Sequence, residues 1–278
     1  MALEQWHGLQ EGKPPMSASN DMTGRVAVVT GGTRGIGFGI AQALLDAGAS
    51  VVISGRSPDK GKQALAELGE HRPVLFMAGD ARVQADVEQL IDTAVERFGH
   101  VDILVNNAGG SSGFAEVAEL SDEAWREAQD WILTSTFWAT RRALPSMAER
   151  HWGRVINISS VEGKMVKKPL ASHYATFKHA VIGFTKAVAA EYGPKGITAN
   201  AICPGAVETD LMKITGRKAA EVAGVSYESF LGGYADETLT KSINTVEEVV
   251  AMAMLLASDA GAGVTGTAIN VDGGTSPY

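Results

Sequence analysis

The sequence predicts a doubly wound α/β fold, a parallel sheet covered by helices on both faces. Three observations carry this. Apolar runs such as Val26-Ala27-Val28-Val29-Thr30 are continuous rather than alternating, as strands buried on both faces require. Most runs are followed by a stretch of helical periodicity, so the strands connect by right-handed crossovers. A glycine cluster separates the first strand from the first helix, at a strand end where open α/β sheets bind ligands.

The elements follow in order. The first strand leads to a helix from about Ile36 to Ala47. Residues 49–53 make the second strand, 59–69 a helix, 74–77 the third strand and 85–98 the next helix. After the fourth strand, 101–105, a long helix is expected from about Asp122 to Arg150. Strand 154–158, helix 172–192, strand 198–202, helix 246–257 and strand 267–271 bring the sheet to seven strands. No linker interrupts the series, so 22–278 reads as a single domain. Segment 206–245 lacks a strong period, contains Gly216, Gly224, Gly232 and Gly233, and follows a strand end. It is the expected lid over a substrate. Residues 1–21 are polar and include the pair Pro14–Pro15. They read as a loosely ordered extension without a signal-peptide core.

The 278 residues suffice for a core that needs no staples. Acidic residues outnumber basic ones, 32 to 24, for a net charge of −8. A nucleic-acid partner, which calls for a basic surplus, is not expected. Cys203 is the single cysteine. Neither a disulfide framework nor a metal-ligand pattern is available, and a reducing, cytoplasmic compartment is expected. No uninterrupted apolar stretch approaches the roughly 18 residues of a membrane span.

The chemistry begins at Thr30-Gly31-Gly32-Thr33-Arg34-Gly35-Ile36-Gly37. Gly31 permits a tight turn, Gly35 lets the backbone approach a pyrophosphate, and Gly37 lets helix and strand pack closely. The helix N-terminus offers N–H groups to the anion, with Thr33, Arg34 and Ile36 completing the loop. The second strand ends in Ser54-Gly55-Arg56-Ser57, where a site for NAD usually has an acid for the ribose diol. Asp59 lies too far into the next turn to replace it. Arg34 and Arg56, with Ser57 beside them, are instead placed to clamp a 2′-phosphate, so the expected cofactor is NADP(H).

Five motifs in order resemble the short-chain dehydrogenase/reductase family, nearest its ketoacyl-reductase and secondary-alcohol dehydrogenase branch. They are Thr30–Gly37, Asn106-Asn107-Ala108-Gly109, Tyr174-Ala175-Thr176-Phe177-Lys178, Pro204-Gly205 and Asn270-Val271-Asp272-Gly273-Gly274. The resemblance spans about 23–274 and implies a Rossmann-type domain that exchanges a hydride between NADP(H) and a carbonyl or secondary alcohol. It implies that Asp80 and Ala81 lie beside the adenine, that Asn107, Ala108 and Gly109 line the cofactor, and that Asn106 is structural. Pro204, Gly205, Val207 and Thr209 would cover the nicotinamide. Ser160, with Ser159 the neighbouring possibility, would bond the substrate oxygen, Tyr174 would exchange the proton, and Lys178 would be its partner. It also implies a homotetramer or homodimer built across helices 122–150 and 172–192.

Tyr174 and Lys178 stand four apart and share a helix face. A nearby ammonium and the positive nicotinamide are expected to lower the phenol's pKa from about 10, suiting it to acid–base work. Ser160 would polarise the carbonyl, and the hydride belongs to the nicotinamide. Two departures from the family stand out. Ser160 and Tyr174 are 14 apart, one more than is common in the family, the extra residue falling in loop 164–169. Ile132 occupies the helix position where the family usually has an asparagine anchoring a water for proton relay. Either Thr134, Ser135 or a backbone carbonyl rebuilds that relay, or the chain is an NADP(H)-binding sensor or scaffold with weak catalysis. Reduction of an imine or enone in the same site is a third reading.

Other residues carry weaker expectations. Lys164, Lys167 and Lys168 could draw in an anionic substrate, though a solvated loop reads as well. His173 is next to Tyr174, but adjacent helix residues point apart. Trp131, Trp138 and Trp152 suit the core or a subunit interface. Phe114, Met165, Leu211, Met212, Tyr227, Phe230 and Tyr234 are candidates for a moderately apolar pocket. Cys203 is expected to be buried and inert.

Overall fold

A computed structural model describes residues 21–69, 71–167 and 169–276. The extension 1–21 lies outside the described residues except for Asp21, and Lys168 lies outside them too.

Strands β1 (Val26–Val29), β2 (Ser50–Gly55), β3 (Val74–Ala78), β4 (Ile103–Asn106), β5 (Gly153–Ile158), β6 (Ile197–Pro204) and β7 (Ala268–Val271) form one sheet. Its order is β3-β2-β1-β4-β5-β6-β7, and every pairing is parallel. The continuous apolar runs have a direct cause. Ala27, Val29, Val51, Ile53, Ile103 and Val105 join the core on one face, and Val26, Val28, Val52 and Leu104 join the core on the other. Successive side chains point to opposite faces, so a sheet covered twice needs apolar residues at every position.

Helices α1 (Gly35–Asp46) and α9 (Val246–Ala257) cover the first face; α3 (Gln84–Phe98), α5 (Ser135–Glu149) and α6 (Ser172–Tyr192) cover the second. The remaining helix along the sheet, α2 (Pro58–Leu68), starts at Ser57, whose side chain caps Lys60 N. The strand order reverses at β1, which neighbours both β2 and β4, and the crevice this opens lies at the strands' C-terminal ends.

Two expectations are corrected. The long helix 122–150 is not uniform: α4 (Asp122–Ala128) passes through a π-helical turn, Gln129–Thr134, into α5. Ser135 Oγ donates to Trp131 O at 2.7 Å and Thr136 Oγ1 to Ile132 O at 2.8 Å. Such side-chain insertion accompanies a widened turn, and π turns gather at functional sites. Segment 206–245 is not irregular either. It folds as α7 (Asp210–Ala223) and α8 (Tyr227–Asp236), capped by Thr209 and Ser226. The caps are readable in sequence, but the weak apolar period hid the helices.

Candidate active site

The glycine loop leaves β1 and turns into α1. Gly31 and Gly35 have φ of +65° and +55°, the left-handed region glycine accepts without strain. At Gly37 an added Cβ would lie 2.4 Å from Asn107 Nδ2 and 2.5 Å from Gly31 O. Asn107 ties the loop to β4: its Nδ2 donates to Thr30 O and Gly31 O, both at 3.0 Å. Thr30 Oγ1 accepts the N–H of Asn107 and of Ala108 at 3.0 Å. Gly109 continues this wall, with Lys178 Nζ and Ile132 beside it. No side chain caps the N-terminus of α1, and its first turn has no acid. Those N–H groups and the dipole therefore face the crevice. Ile36 packs into the first core, and Thr33 abuts Gly55.

Arg34 and Arg56 are exposed at the crevice mouth. Trp131 is half-buried and lies outside the hydrophobic core clusters, with its ring beside Gly110. Arg56 lies 5.0 Å and Arg82 5.6 Å from its ring centre. Asp80 is gripped by Arg82, with Nη2 at 2.6 Å and Nε at 3.0 Å, and this pairing holds its carboxyl below the usual range. Ala81 stands beside it, half-buried. Arg82 also reaches Glu127 at 2.6 Å, and Glu127 accepts from the Ser112 hydroxyl. This chain of charges links the crevice to loop 110–116. Ser57 caps α2, accepting Lys60 N–H at 3.4 Å.

A cavity of about 360 Å³ opens beside the crevice. Ser160, Glu162 and Tyr174 line it together with Gly205, Ala206 and Val207, with Phe114 from a loop, Met212 from α7 and Tyr234 from α8. Ser160 ends β5 and caps a short 3-10 turn, Val161–Gly163, by accepting Glu162 N–H at 3.1 Å. Tyr174 lines the same cavity as Ser160. Ser159 points away, donating to Lys178 O at 2.9 Å. Pro204 closes β6, Val207 pairs with Asn244, and Thr209 packs against Gly35. Asn106 is buried and donates to Asn157 Oδ1 at 2.8 Å and Thr140 Oγ1 at 3.1 Å, a cross-strand tie.

At Tyr174 the lysine does not supply the lowering expected of it. Burial pushes its phenol up; the Ser160 hydrogen bond works downward and the Glu162 charge upward. Lys178 does not counter this. Its Nζ donates to Ile158 O at 2.7 Å and stands 5.7 Å from the centre of the Tyr174 ring. Burial lowers its own pKa to about 8, which weakens it as a source of positive charge. Ile132 is buried against Phe177, Val181 and Tyr174. Of the alternatives named for the relay, Ser135 already donates to Trp131 O.

The weaker candidates divide. Phe114, Met212 and Tyr234 line the cavity, whereas Met165, Tyr227 and Phe230 are not on its described wall, and the side chain of Leu211 lies outside the described residues. Lys167 reaches the wall but is paired with Glu237 at 3.2 Å. His173 is fully buried and its Nε2 meets Ser112 O at 2.9 Å. Cys203 is buried, and burial pushes its thiol up. Among the described residues no cluster of His, Cys, Asp and Glu could hold a metal, and no helix is long and apolar enough to cross a membrane.

The short chain dehydrogenase family model matches residues 25–220. The chain belongs to this family. A relative, the D-beta-hydroxybutyrate dehydrogenase of Cupriavidus necator, is 37% identical over 255 residues, covering 91% of this chain and 98% of the relative. The 3beta-hydroxysteroid dehydrogenase 2 of Eggerthella lenta is 36% identical over 261 residues, 92% of this chain and 96% of its own. A crystal structure of an actinorhodin polyketide ketoreductase variant with NADPH superposes with a TM-score of 0.85 at 36% identity, covering 95% of this chain and all of that one. The protein is thus a short chain dehydrogenase, an oxidoreductase moving a hydride between a nicotinamide cofactor and a carbonyl or alcohol. Sequence reasoning missed three parts of this dehydrogenase's site: Glu162, the Arg82–Glu127–Ser112 chain and Glu237. Glu162 alone carried a local signal, an acid two residues past Ser160 in an apolar strand-end context.

Proposed function

We propose that the chain is an NADP(H)-dependent carbonyl reductase in which Tyr174 donates the proton and Ser160 holds the substrate oxygen. The observation that carries this is that Ser160 and Tyr174 line one cavity, with Tyr174 one helical turn from Lys178 and beside the glycine crevice. The crevice fits a dinucleotide: an added Cβ at Gly37 would collide with its neighbours, and the α1 N-terminus is uncapped. The loop 31–37 and Asn107–Gly109 would hold its phosphates and riboses, Asp80 and Ala81 its adenine edge, and Pro204, Gly205, Val207 and Thr209 its nicotinamide side. Lys178 would bond the nicotinamide ribose. Arg34 and Arg56, exposed and without an acid at the end of β2, favour a 2′-phosphate over a free diol. When bound, the nicotinamide supplies the hydride.

Tyr174 and Ser160 then orient the carbonyl and stabilise charge gathering on its oxygen. A phenol pushed up by burial stays protonated at neutral pH, which suits donation and therefore the reductive direction. Self-association across α5 and α6 is part of the proposal. Phe137 is 39% exposed there and stacks edge-on with Phe184 at 6.1 Å, an apolar face that suits burial against a second copy. The free thiol of Cys203 suits a cytoplasmic setting.

Consumption of NADPH and NADH is measured on ketones, diketones, ketoacyl thioesters and aldehydes, alongside Tyr174→Phe. NADPH loss that depends on Tyr174 is the expected result. Turnover unchanged in the variant overturns the assignment, and light scattering that finds a monomer overturns the self-association. Weak catalysis under tight NADPH binding would instead favour the sensor reading that Ile132 suggests.

A further inference from the structure

Among the described residues the acids on the cavity wall are Glu162 and Glu237, and Glu162, two residues past Ser160, is only 7% exposed. Two bonds fix it. Its N–H donates to Ser160 Oγ at 3.1 Å, and its Oε2 accepts Lys167 N–H at 3.3 Å. A carboxylate has about four acceptor sites, and a single long backbone bond fills little of that capacity. A substrate entering the cavity displaces the water that would satisfy the rest. It must return a donor, or the buried carboxylate is left unsatisfied.

The surrounding wall narrows the choice. Phe114, Val161 and Met212 are apolar. Among the described residues on the wall the cation is Lys167, already 3.2 Å from Glu237. A substrate carboxylate would meet the like charge of Glu162 and would have to break that pair. Ser111 Oγ, buried on the same wall without a hydrogen-bond partner, adds a second polar atom that an uncharged oxygen can satisfy.

We propose that Glu162 selects the substrate: the cavity takes an uncharged carbonyl compound bearing a hydroxyl close to the reacting carbon, which donates to the Glu162 carboxylate. Reduction then yields a diol. This rests on the reductase reading above, and binding separates the two. The probes are a ketone series of four to ten carbons in three forms, hydroxylated, unsubstituted and carboxylated, with the matching diols, mono-alcohols and hydroxy acids for calorimetry on the cofactor-saturated chain.

The diol binds about ten- to a hundredfold more tightly than the mono-alcohol or hydroxy acid, and kcat/KM ranks the ketones the same way. Glu162→Gln keeps an acceptor for Lys167 N–H, removes the charge, and restores binding of the hydroxy acid towards that of the diol. Glu162→Asp retains the ranking. Equal binding of diol, mono-alcohol and hydroxy acid by the unaltered chain overturns the inference, whatever the variants do. So does a ranking that Glu162→Gln leaves in place. Ranked binding without Tyr174-dependent turnover leaves Glu162 as the selector and overturns the reductase reading alone.

Discussion

The two edges of the sheet hold buried charge in opposite ways. At the N-terminal edge Asp102 is fully buried and surrounded by donors. Its Oδ2 accepts Val26 N–H at 3.1 Å and meets His100 Nε2 at 2.9 Å, and its Oδ1 takes Arg150 Nε at 3.1 Å with Arg25 at 3.6 Å. Close by, Trp152 lies between Arg25 and Arg154, 3.5 and 4.2 Å from its ring centre. At the C-terminal edge the polar groups are underused. Lys178 keeps one carbonyl partner and a pKa lowered to about 8, Ser111 Oγ has no partner, and the α1 N-terminus has no side-chain cap. Charge that ties the fold together is saturated; charge at the site keeps spare bonding capacity. Unfilled capacity costs stability and is retained where a ligand completes it.

Breaking the active edge gives the largest effect. Tyr174→Phe lowers kcat/KM by about 10²–10⁴-fold while NADPH affinity, measured by fluorescence titration, stays close to that of the unaltered chain. Breaking the structural edge acts on stability instead. Asp102→Ala removes about 3 kcal/mol, read from urea unfolding, and leaves the kcat/KM of the folded fraction unchanged. A loss of activity per folded molecule would mean the two edges are coupled.

Lys178 sharpens the contrast through pH. Its folded pKa of about 8 lies below the ordinary lysine value of 10.5. Between these values the unfolded chain holds a proton that the folded chain has released, so stability rises with pH across about 8 to 10.5. Below pH 8 both states hold it and the burial cost is present in full. Lys178→Met flattens that rise in urea midpoints taken without cofactor. A slope unchanged in the variant would assign it to another group.

Smaller effects are expected at the crevice mouth and the π turn. Arg56→Ala reduces the preference for NADPH over NADH by about ten- to a hundredfold, measured as a ratio of kcat/KM values. Ile132→Asn changes kcat by less than about tenfold. A much larger gain would show that the isoleucine had silenced a relay and would favour the sensor reading.

The fold was legible because each strand lies between two cores, and that condition writes itself into consecutive residues such as Val26 to Val29. The glycine loop was legible for a similar reason. Gly31, Gly35 and Gly37 answer local demands of backbone angle and close approach, and short spacing records such demands. Helices α7 and α8 were less legible, since Thr209 and Ser226 announce their starts while the apolar period behind them is weak. The Tyr174–Lys178 pair was legible as a helix face but not in its electrostatics. A four-residue spacing places both side chains on one side, yet it cannot say that Lys178 turns to Ile158 O or that burial raises the phenol.

By itself, then, the sequence determined the seven-strand parallel sheet and the glycine turn, because each follows from backbone preference or burial over a few neighbouring positions, whereas the roles of Ser160, Tyr174 and Lys178 were reached only through the family resemblance. Tertiary structure alone decided that Asp80 is held by Arg82, that Trp131 sits between two arginines, that Lys167 is paired with Glu237 and that Glu162 stands on the cavity wall. These depend on contacts between loops that only the packed sheet brings together, and charge in a low-dielectric interior is governed by such neighbours rather than by residue type.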